Sequence, residues 1–322
     1  MFSLYHENKC LKVACVNKKY FFYLNTGSGF TYSSAYNCIF LFVIIAFMRS
    51  LSIPAYINSY LVDNCKSEDT VAGIKKAYQG LSKGTPEVSV VIPAYNEEGS
   101  IVQTLASLCY NITLRSVEII VVNNNSKDKT EELVKACGVT CILETTQGIT
   151  PSRNAGLAKA KGKFILNADA DTIYPKTWIE RMVKPLDNDK VAITYGRFSF
   201  IPVGSTSRFT YFFYEYFSDL SKIYFKIFES EAVNVYGFNS GFRREQGLQV
   251  DGFNHPPTAN EDGFLAHKLI KKGFGKIYCV SSSKAIVWTS DRRIQIDGGL
   301  IKGTWKRVKR ILHLDKKAFI RL

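Results

Sequence analysis

The order of patterns along this chain predicts an α/β fold with a mostly parallel central sheet flanked by helices. Three observations carry that expectation. Short β-branched runs alternate with helix-periodic stretches through the middle of the sequence. The runs are apolar throughout, as strands buried on both faces are. Polar clusters follow their carboxyl ends, where open α/β sheets bind ligands.

The elements follow in order. "VSVVI" (88–92) is the first strand, and a helix pattern over 98–110 follows it. "VEIIVV" (117–122) is the second strand, followed by a helix over 128–137 for which Asp128 is the expected N-cap and Glu131 completes a capping box. "TCIL" (140–143), a helix over 151–161 and "KFILN" (163–167) complete the array. "PAYNEE", "NNNSKD" and "ADADT" fall after the first, second and fourth strands. The first strand is not followed by GxGxxG or by a glycine-rich loop ending in Lys-Ser/Thr, which argues against a dinucleotide site and a P-loop.

Around this core, residues 1–47 read as an N-terminal extension, 48–86 as a helical segment and linker, 87–297 as the α/β domain and 298–322 as a basic C-terminal helix or tail. The apolar stretch "CIFLFVIIAFM" (38–48) is shorter than the roughly 20 residues of a spanning helix, and Arg49 stops it. Three readings stay open for it: an extension that is not native, with Met48 as the true start; a membrane-interacting segment; or a signal sequence, although no A-x-A-like site follows.

A net charge of +14 favours an anionic partner, whether a phosphorylated small molecule, an anionic membrane surface or nucleic acid. The eight cysteines are scattered. Cys137 and Cys141 approach a metal spacing without a second Cys or His pair nearby, so reduced thiols in a cytosolic protein are the simpler reading. The aromatic-rich stretch 198–228, with "FTYFFYEYF" at 209–217, is either a buried helix or an interfacial one that meets lipid. The basic 298–322 stretch is either a solvated helix face or a contact with anionic membrane.

Asp169 and Asp171 are the first candidates for chemistry. In extended chain, residues i and i+2 point to one side, so both carboxylates can address one site. Two such charges repel, and a divalent cation reverses that penalty. Mg²⁺ takes one or two carboxylates and fills its shell with water and substrate phosphates. The alternative is that Asp171 caps a helix beginning near Pro175. In "NED" (260–262), Glu261 and Asp262 open a helix with Phe264, Leu265, Leu269 and Ile270 expected inward. They are either a catalytic pair or first-turn acids complementing a helix dipole.

"VSVVIPAYNEE", "VVNNNSKDKT", "GITPSRNAGLAKAKGKFILNADADT" and "NEDGFLAHKLIKKG", in this order, resemble the landmarks of family-2 inverting glycosyltransferases with the GT-A fold, over residues 87 to about 290. The resemblance makes 87–297 a GT-A glycosyltransferase domain. It implies transfer of a sugar, with inversion, from a nucleotide-diphospho-sugar to a glycan or lipid-linked acceptor, assisted by Mg²⁺ or Mn²⁺. By position, Pro93, Ala94, Tyr95 and Glu97 would line the nucleoside pocket. Arg153 would help hold the nucleotide, Asp169 would sit near the ribose, and Asp171 with Asp169 would take the metal. Asp262 would be the general base, with Glu261 supporting it. Asn239, in "GFNSGFRR", would contact the acceptor, and Arg292 and Arg293 would close on the diphosphate.

One departure bears on the donor. Relatives often carry aspartates where this chain has Asn123 and Asn124, and the second usually accepts a bond from uracil. An asparagine can still accept there but can also donate, so a UDP-sugar is favoured and a GDP-sugar stays open. The same resemblance implies cell-envelope polysaccharide biosynthesis and a cytoplasmic location, peripheral to the membrane. A processive polysaccharide synthase is the related alternative, although the Q-x-x-R-W motif is missing. A basic nucleic-acid-binding protein is the alternative of another class, and no recognisable binding module supports it.

Overall fold

A computed structural model describes residues 2–6, 9–16, 19–24, 49–61, 67–257, 259–296, 298–300, 302 and 305. The apolar 38–48 stretch and most of 298–322 lie outside them. The chain divides into two compact units, Met1–Met48 and Arg49–Leu322. In the first, β1 (Phe2–His6), β2 (Lys9–Val16) and β3 (Lys19–Leu24) form an antiparallel meander.

The second unit opens with α1 (Ala55–Asn58) and α2 (Glu68–Leu81), the latter capped by Ser67, whose side chain accepts from Thr70 N–H. Ile74, Tyr78 and Leu81 of α2 are buried, and the Tyr78 hydroxyl bonds Ile119 N–H at 3.1 Å. The 48–86 segment is therefore packed onto the domain over its described length. Then come β4 (Val88–Ala94), α3 (Ile101–Cys109), β5 (Val117–Asn123), α4 (Thr130–Ala136), β6 (Thr140–Leu143), α5 (Ile149–Lys159), β7 (Phe164–Asn167) and the short β8 (Thr172–Ile173). The remainder is α6 (Trp178–Val183), β9 (Val191–Gly196), β10 (Phe198–Ile201), α7 (Arg208–Phe228), β11 (Ser240–Arg243), α8 (Arg244–Gln249), α9 (Glu261–Lys271), β12 (Lys276–Val280), β13 (Val287–Ser290) and α10 (Arg292–Ile296).

Seven strands form the main sheet in the order β12-β9-β11-β7-β4-β5-β6. β6, β5, β4 and β7 are mutually parallel, and β11 runs antiparallel between β7 and β9. A small sheet, β10-β13-β8, stands apart from it. The unbroken apolar runs have the expected cause. Val90, Ile92, Ile119, Val121 and Leu166 pack into one core with α3, α4 and α6, while Val91, Ile120, Val122 and Ile165 pack on the other face with α5 and α9. Each such side chain contributes about 1.5–3 kcal/mol on leaving water. Because the chain steps from β6 back across β4 to β7, the loops after β4, β5 and β7 converge on a topological switch point.

Four local expectations change. Asp128 is not the N-cap of α4; it lies one residue earlier, accepting from Thr130 N–H and Oγ1–H and from Glu98 N–H. Glu131 completes no capping box, because its carboxylate pairs with Lys135 and Asn123. Asp169 and Asp171 sit in a turn after β7, not in extended chain, so the i, i+2 argument does not explain their pairing. In α9 the inward residues are Asp262, Leu265, Ala266 and Leu269, while Ile270 is 37% exposed.

Candidate active site

A cavity of about 880 Å³ lies over the switch point. The end of β4 contributes Pro93, Ala94, Tyr95 and Glu97, the end of β5 contributes Asn124, and the turn after β7 contributes Asp169 and Asp171. Arg292 and Arg293 close the same wall. Nine of the residues singled out in the sequence therefore meet at one cavity, although they come from four separate segments.

The β4 and β5 loops are tied to each other. Asn96 N–H donates to Ser126 Oγ, Lys127 N–H to Asn96 Oδ1, Glu98 N–H to Asp128, and Lys129 N–H to Glu98, each within about 3.0 Å. Asn124 spends both amide hydrogens on the Glu144 and Thr146 carbonyls at 2.9 and 2.8 Å, and its Oδ1 accepts from Gly148 N–H at 2.7 Å. That side chain meets a ligand only as an acceptor. Gly148 has φ +138°, a backbone conformation costly for any residue with a Cβ, and the turn it makes sets the start of α5 against the cavity.

Asp171 is no helix cap. α6 begins at Trp178 behind Thr177. The Oδ2 of Asp171 accepts from Ser290 Oγ at 2.7 Å and from Arg292 Nη2 at 3.4 Å, and Arg292 also pairs with Glu97. The guanidinium thus bridges two acids that line the cavity, which is how the repulsion between them is met in the protein alone. Asp169 lies beside Arg153, whose Nη2 donates to it at 3.0 Å. Loss of water raises the Asp169 carboxyl above its ordinary range; Arg153 opposes the rise and Asp171 adds to it.

Beneath the cavity Arg153 is 2% exposed, and its Nε lies 3.7 Å from Asp262 Oδ1. Asp262 is 4% exposed and does not line the cavity; it is joined to it through Arg153 and Asp169. Burial pushes the Asp262 carboxyl up to about 7, with Arg153 opposing and Glu261 and Asp169 adding to the rise. Arg153 Nε and Nη1 and Asp262 Oδ1 are buried without a hydrogen-bond partner. Such groups are rare, and they mark sites that a ligand or a small movement completes. Glu261 is half-buried in the first turn of α9, behind the Asn260 cap.

Gly237 permits this approach. A Cβ there would fall on the Arg153 guanidinium and within 2.5 Å of Asp262 Oδ2. Gly237→Ala is expected to cost about 2–3 kcal/mol of stability, read as a lower denaturant midpoint; an unchanged midpoint would show that the pair gives way freely.

Asn239 does not occupy the acceptor position expected for it. It is 1% exposed, donates to Arg197 O at 2.8 Å and accepts from Trp178 Nε1 at 2.8 Å. Its amide is spent joining β9, α6 and the β11 approach. Sequence reasoning missed the other lobe of the cavity, lined by Phe198, Phe200, Tyr214, Tyr236 and Phe238. Its sequence signal was the aromatic-rich 198–228 stretch, which holds Phe198, Phe200 and Tyr214 but was read as a helix alone. Among the described residues no group of three or more His, Cys, Asp or Glu side chains forms a self-sufficient metal cage. The two aspartates fit instead a hard cation that draws its other ligands from phosphate and water.

The family model for "Glycosyl transferase family 2" matches residues 89–246. An uncharacterized glycosyltransferase of Haemophilus influenzae is 37% identical over 113 residues, 33% of this chain and 35% of that protein. The UDP-Glc:alpha-D-GlcNAc-diphosphoundecaprenol beta-1,3-glucosyltransferase WfaP of Escherichia coli is 30% identical over 115 residues, 34% of this chain and 45% of that protein. The chain thus spans less than half the length of these relatives. Among solved structures, the mannosyltransferase PcManGT of Pyrobaculum calidifontis in complex with GDP-Man and Mn²⁺ superposes with a TM-score of 0.52 at 20% identity, over 75% of this chain and 76% of that one. Residues 1–349 of S. aureus TarS in complex with UDP-GlcNAc superpose with a TM-score of 0.51 at 18% identity, over 70% and 65%. The sheet with its switch-point cavity is the GT-A fold of these transferases, and through residues 89–246 the chain belongs to glycosyl transferase family 2.

Proposed function

We propose that this protein transfers a sugar from a nucleotide-diphospho-sugar to an acceptor hydroxyl, with inversion at the anomeric carbon. The observation that carries the reading is the Asp169–Arg153–Asp262 chain, which runs from a carboxylate lining the cavity to a buried carboxyl pushed up to about 7. The acceptor oxygen attacks the anomeric carbon from the face opposite the diphosphate. Its proton passes to Asp262, which lies beneath the cavity beside Arg153 and comes within reach of the acceptor when that contact shifts in the complex. Glu261 supports the site, and the bond to the diphosphate breaks as the new glycosidic bond forms. A carboxyl near pH 7 is well matched to that task.

Asp171, with Asp169 beside it, would hold Mg²⁺ or Mn²⁺; bound there, the cation neutralises charge on the departing diphosphate. Arg292 and Arg293 line the same wall and supply positive charge when Arg292 leaves Glu97 and Asp171. Pro93, Ala94, Tyr95 and Glu97 form the nucleoside side. Asn124, restricted to accepting, suits the ring N–H of uracil, and guanine offers one as well. A UDP-sugar is the first choice. The acceptor is a glycan or a lipid-linked sugar, in keeping with cell-envelope polysaccharide assembly at the cytoplasmic face of a membrane.

The test is a thermal-stability panel of UDP- and GDP-sugars with and without Mn²⁺. Ligand that binds only the folded state raises the melting temperature, and the expected result is a rise with one UDP-sugar that depends on the cation. A panel in which no nucleotide sugar moves the transition removes the reading.

A further inference from the structure

α7 is an amphipathic helix folded with its polar side inward. Glu215, Ser218, Asp219, Ser221 and Lys222 are buried. Glu215 and Asp219 are drawn in by arginines: Arg49 lies 3.1 Å from Glu215 and 2.8 Å from Asp219, Arg197 lies 2.8 Å from Asp219, and Arg208 lies 2.7 Å from Glu215. The opposite side is apolar and faces outward. Phe209, Phe213, Leu220 and Ile227, at i, i+4, i+11 and i+18, fall on one stripe and are 57–65% exposed, and Phe228 beside them is 68% exposed. Over 21 residues the stripe runs about 30 Å. A patch of this extent on an otherwise polar surface marks an interaction site. The aromatic-rich stretch is thus neither buried all round nor exposed all round: Tyr211 and Phe225 are buried, whereas Phe209 and Phe213 are exposed.

The charge of the chain selects the partner. Both acids of α7 between Arg208 and Phe228 are buried, so no acid of the helix itself lies on the exposed stripe. At its C-terminal end the exposed Lys226 pairs with Glu231 at 2.8 Å and the exposed Glu229 follows Phe228. α10 lies against the start of α7, with Gln295 Nε2 donating to Thr206 Oγ1 and Tyr211 donating to Asp291. The chain leaves that point through Ile296, 78% exposed, into a sequence holding Lys306, Arg307, Lys309 and Arg310. A second copy with a net charge of +14 is repelled, whereas an anionic lipid surface is attracted. No described helix is long and apolar enough to cross a membrane, so the contact is interfacial.

We infer that the outer face of α7 seats this protein on an anionic lipid bilayer. The same helix gives Tyr214 to the aromatic lobe of the cavity, so seating it brings that lobe beside the bilayer surface. Resting on the proposed transfer reaction, this identifies the acceptor as membrane-borne.

The test is sedimentation of the full chain with phosphatidylcholine vesicles, with and without phosphatidylglycerol, alongside Phe213→Glu and Leu220→Glu. Both positions are exposed, and circular dichroism melts check that each variant folds. The expected result is pelleting with the anionic vesicles, weakened by salt, with each substitution lowering the partition coefficient about tenfold. A wild-type chain that stays in the supernatant overturns the proposal, as do variants that pellet like wild type. Sedimentation velocity showing a dimer that Leu220→Glu dissociates, without vesicle binding, overturns it in favour of a second copy. Vesicle binding needs no donor, so its loss beside an intact nucleotide-sugar thermal shift rejects this surface alone. The converse result rejects only the transfer reading.

Discussion

Asp171→Ala is expected to lower turnover by about 10²–10³-fold and to abolish the Mn²⁺-dependent part of the donor's thermal shift. The expectation follows from what Asp171 does in the protein alone. Its carboxylate is partly exposed, its Oδ2 takes both side-chain bonds, and Arg292 keeps Glu97 as a partner when Asp171 is gone. The fold should therefore lose no more than about 1 kcal/mol. A surface acid gives a neutral variant, whereas a cation ligand gives a folded and inactive one. Melting curves without ligand, with Mn²⁺ and with Mn²⁺ plus donor separate the two. Turnover within tenfold of wild type, with the Mn²⁺-dependent shift intact, sinks the metal assignment.

The second large effect belongs to Asp262→Asn. An amide cannot take the acceptor's proton, so the rate constant should fall about 10²–10⁴-fold while donor affinity holds. In the wild type the rate should rise with pH to a plateau above about 7, the value to which burial pushes this carboxyl; the variant should lose that inflection. Stability should move the other way. Because the folded pKa stands above the ordinary 3.8, the folded protein holds the proton more tightly than the unfolded chain. The stability this lends is fully present below about pH 4 and is lost as pH rises through about 7. Asparagine mimics the protonated acid at every pH. Denaturant melts should find the two proteins alike near pH 4 and the variant more stable at pH 8, by an amount on the order of a few kcal/mol. Equal rates across the pH range would sink the base assignment, and a stability gap independent of pH would show that Asp262 is not held in its neutral form.

Much of the site was legible because its parts lie at strand ends, and strand ends are legible. β6 coincides with "TCIL", and β4, β5 and β7 begin within a residue of their predicted starts. A strand packed on both faces must be apolar at every position, and few other structures demand that of so short a run. Once those strands are placed, the polar clusters after them must share one end of the sheet. Local geometry was less legible. The Asp169–Asp171 turn and the late start of α4 depend on a few hydrogen bonds whose partners lie elsewhere, such as Tyr174 Oη–Asp169 N and Glu98 N–Asp128. The buried Asn239 was misread because an amide in a glycine-rich segment has the same sequence signature whether it faces a sugar or Trp178.

By itself, then, the sequence determined the strand order's raw material, the family and the cavity's end of the sheet, since all three follow from hydrophobic period and short motifs. Tertiary structure alone decided which charges met. Asp262 acquires its character only where α9 buries it beside Arg153 and behind a glycine, and α7 exposes Phe209 and Phe213 while Arg49, Arg197 and Arg208 hold its acids inside. The physical reason is that hydrophobic burial is counted residue by residue and leaves a local periodic trace. The energy of an ion pair depends on distance and dielectric, which exist only once distant segments have packed.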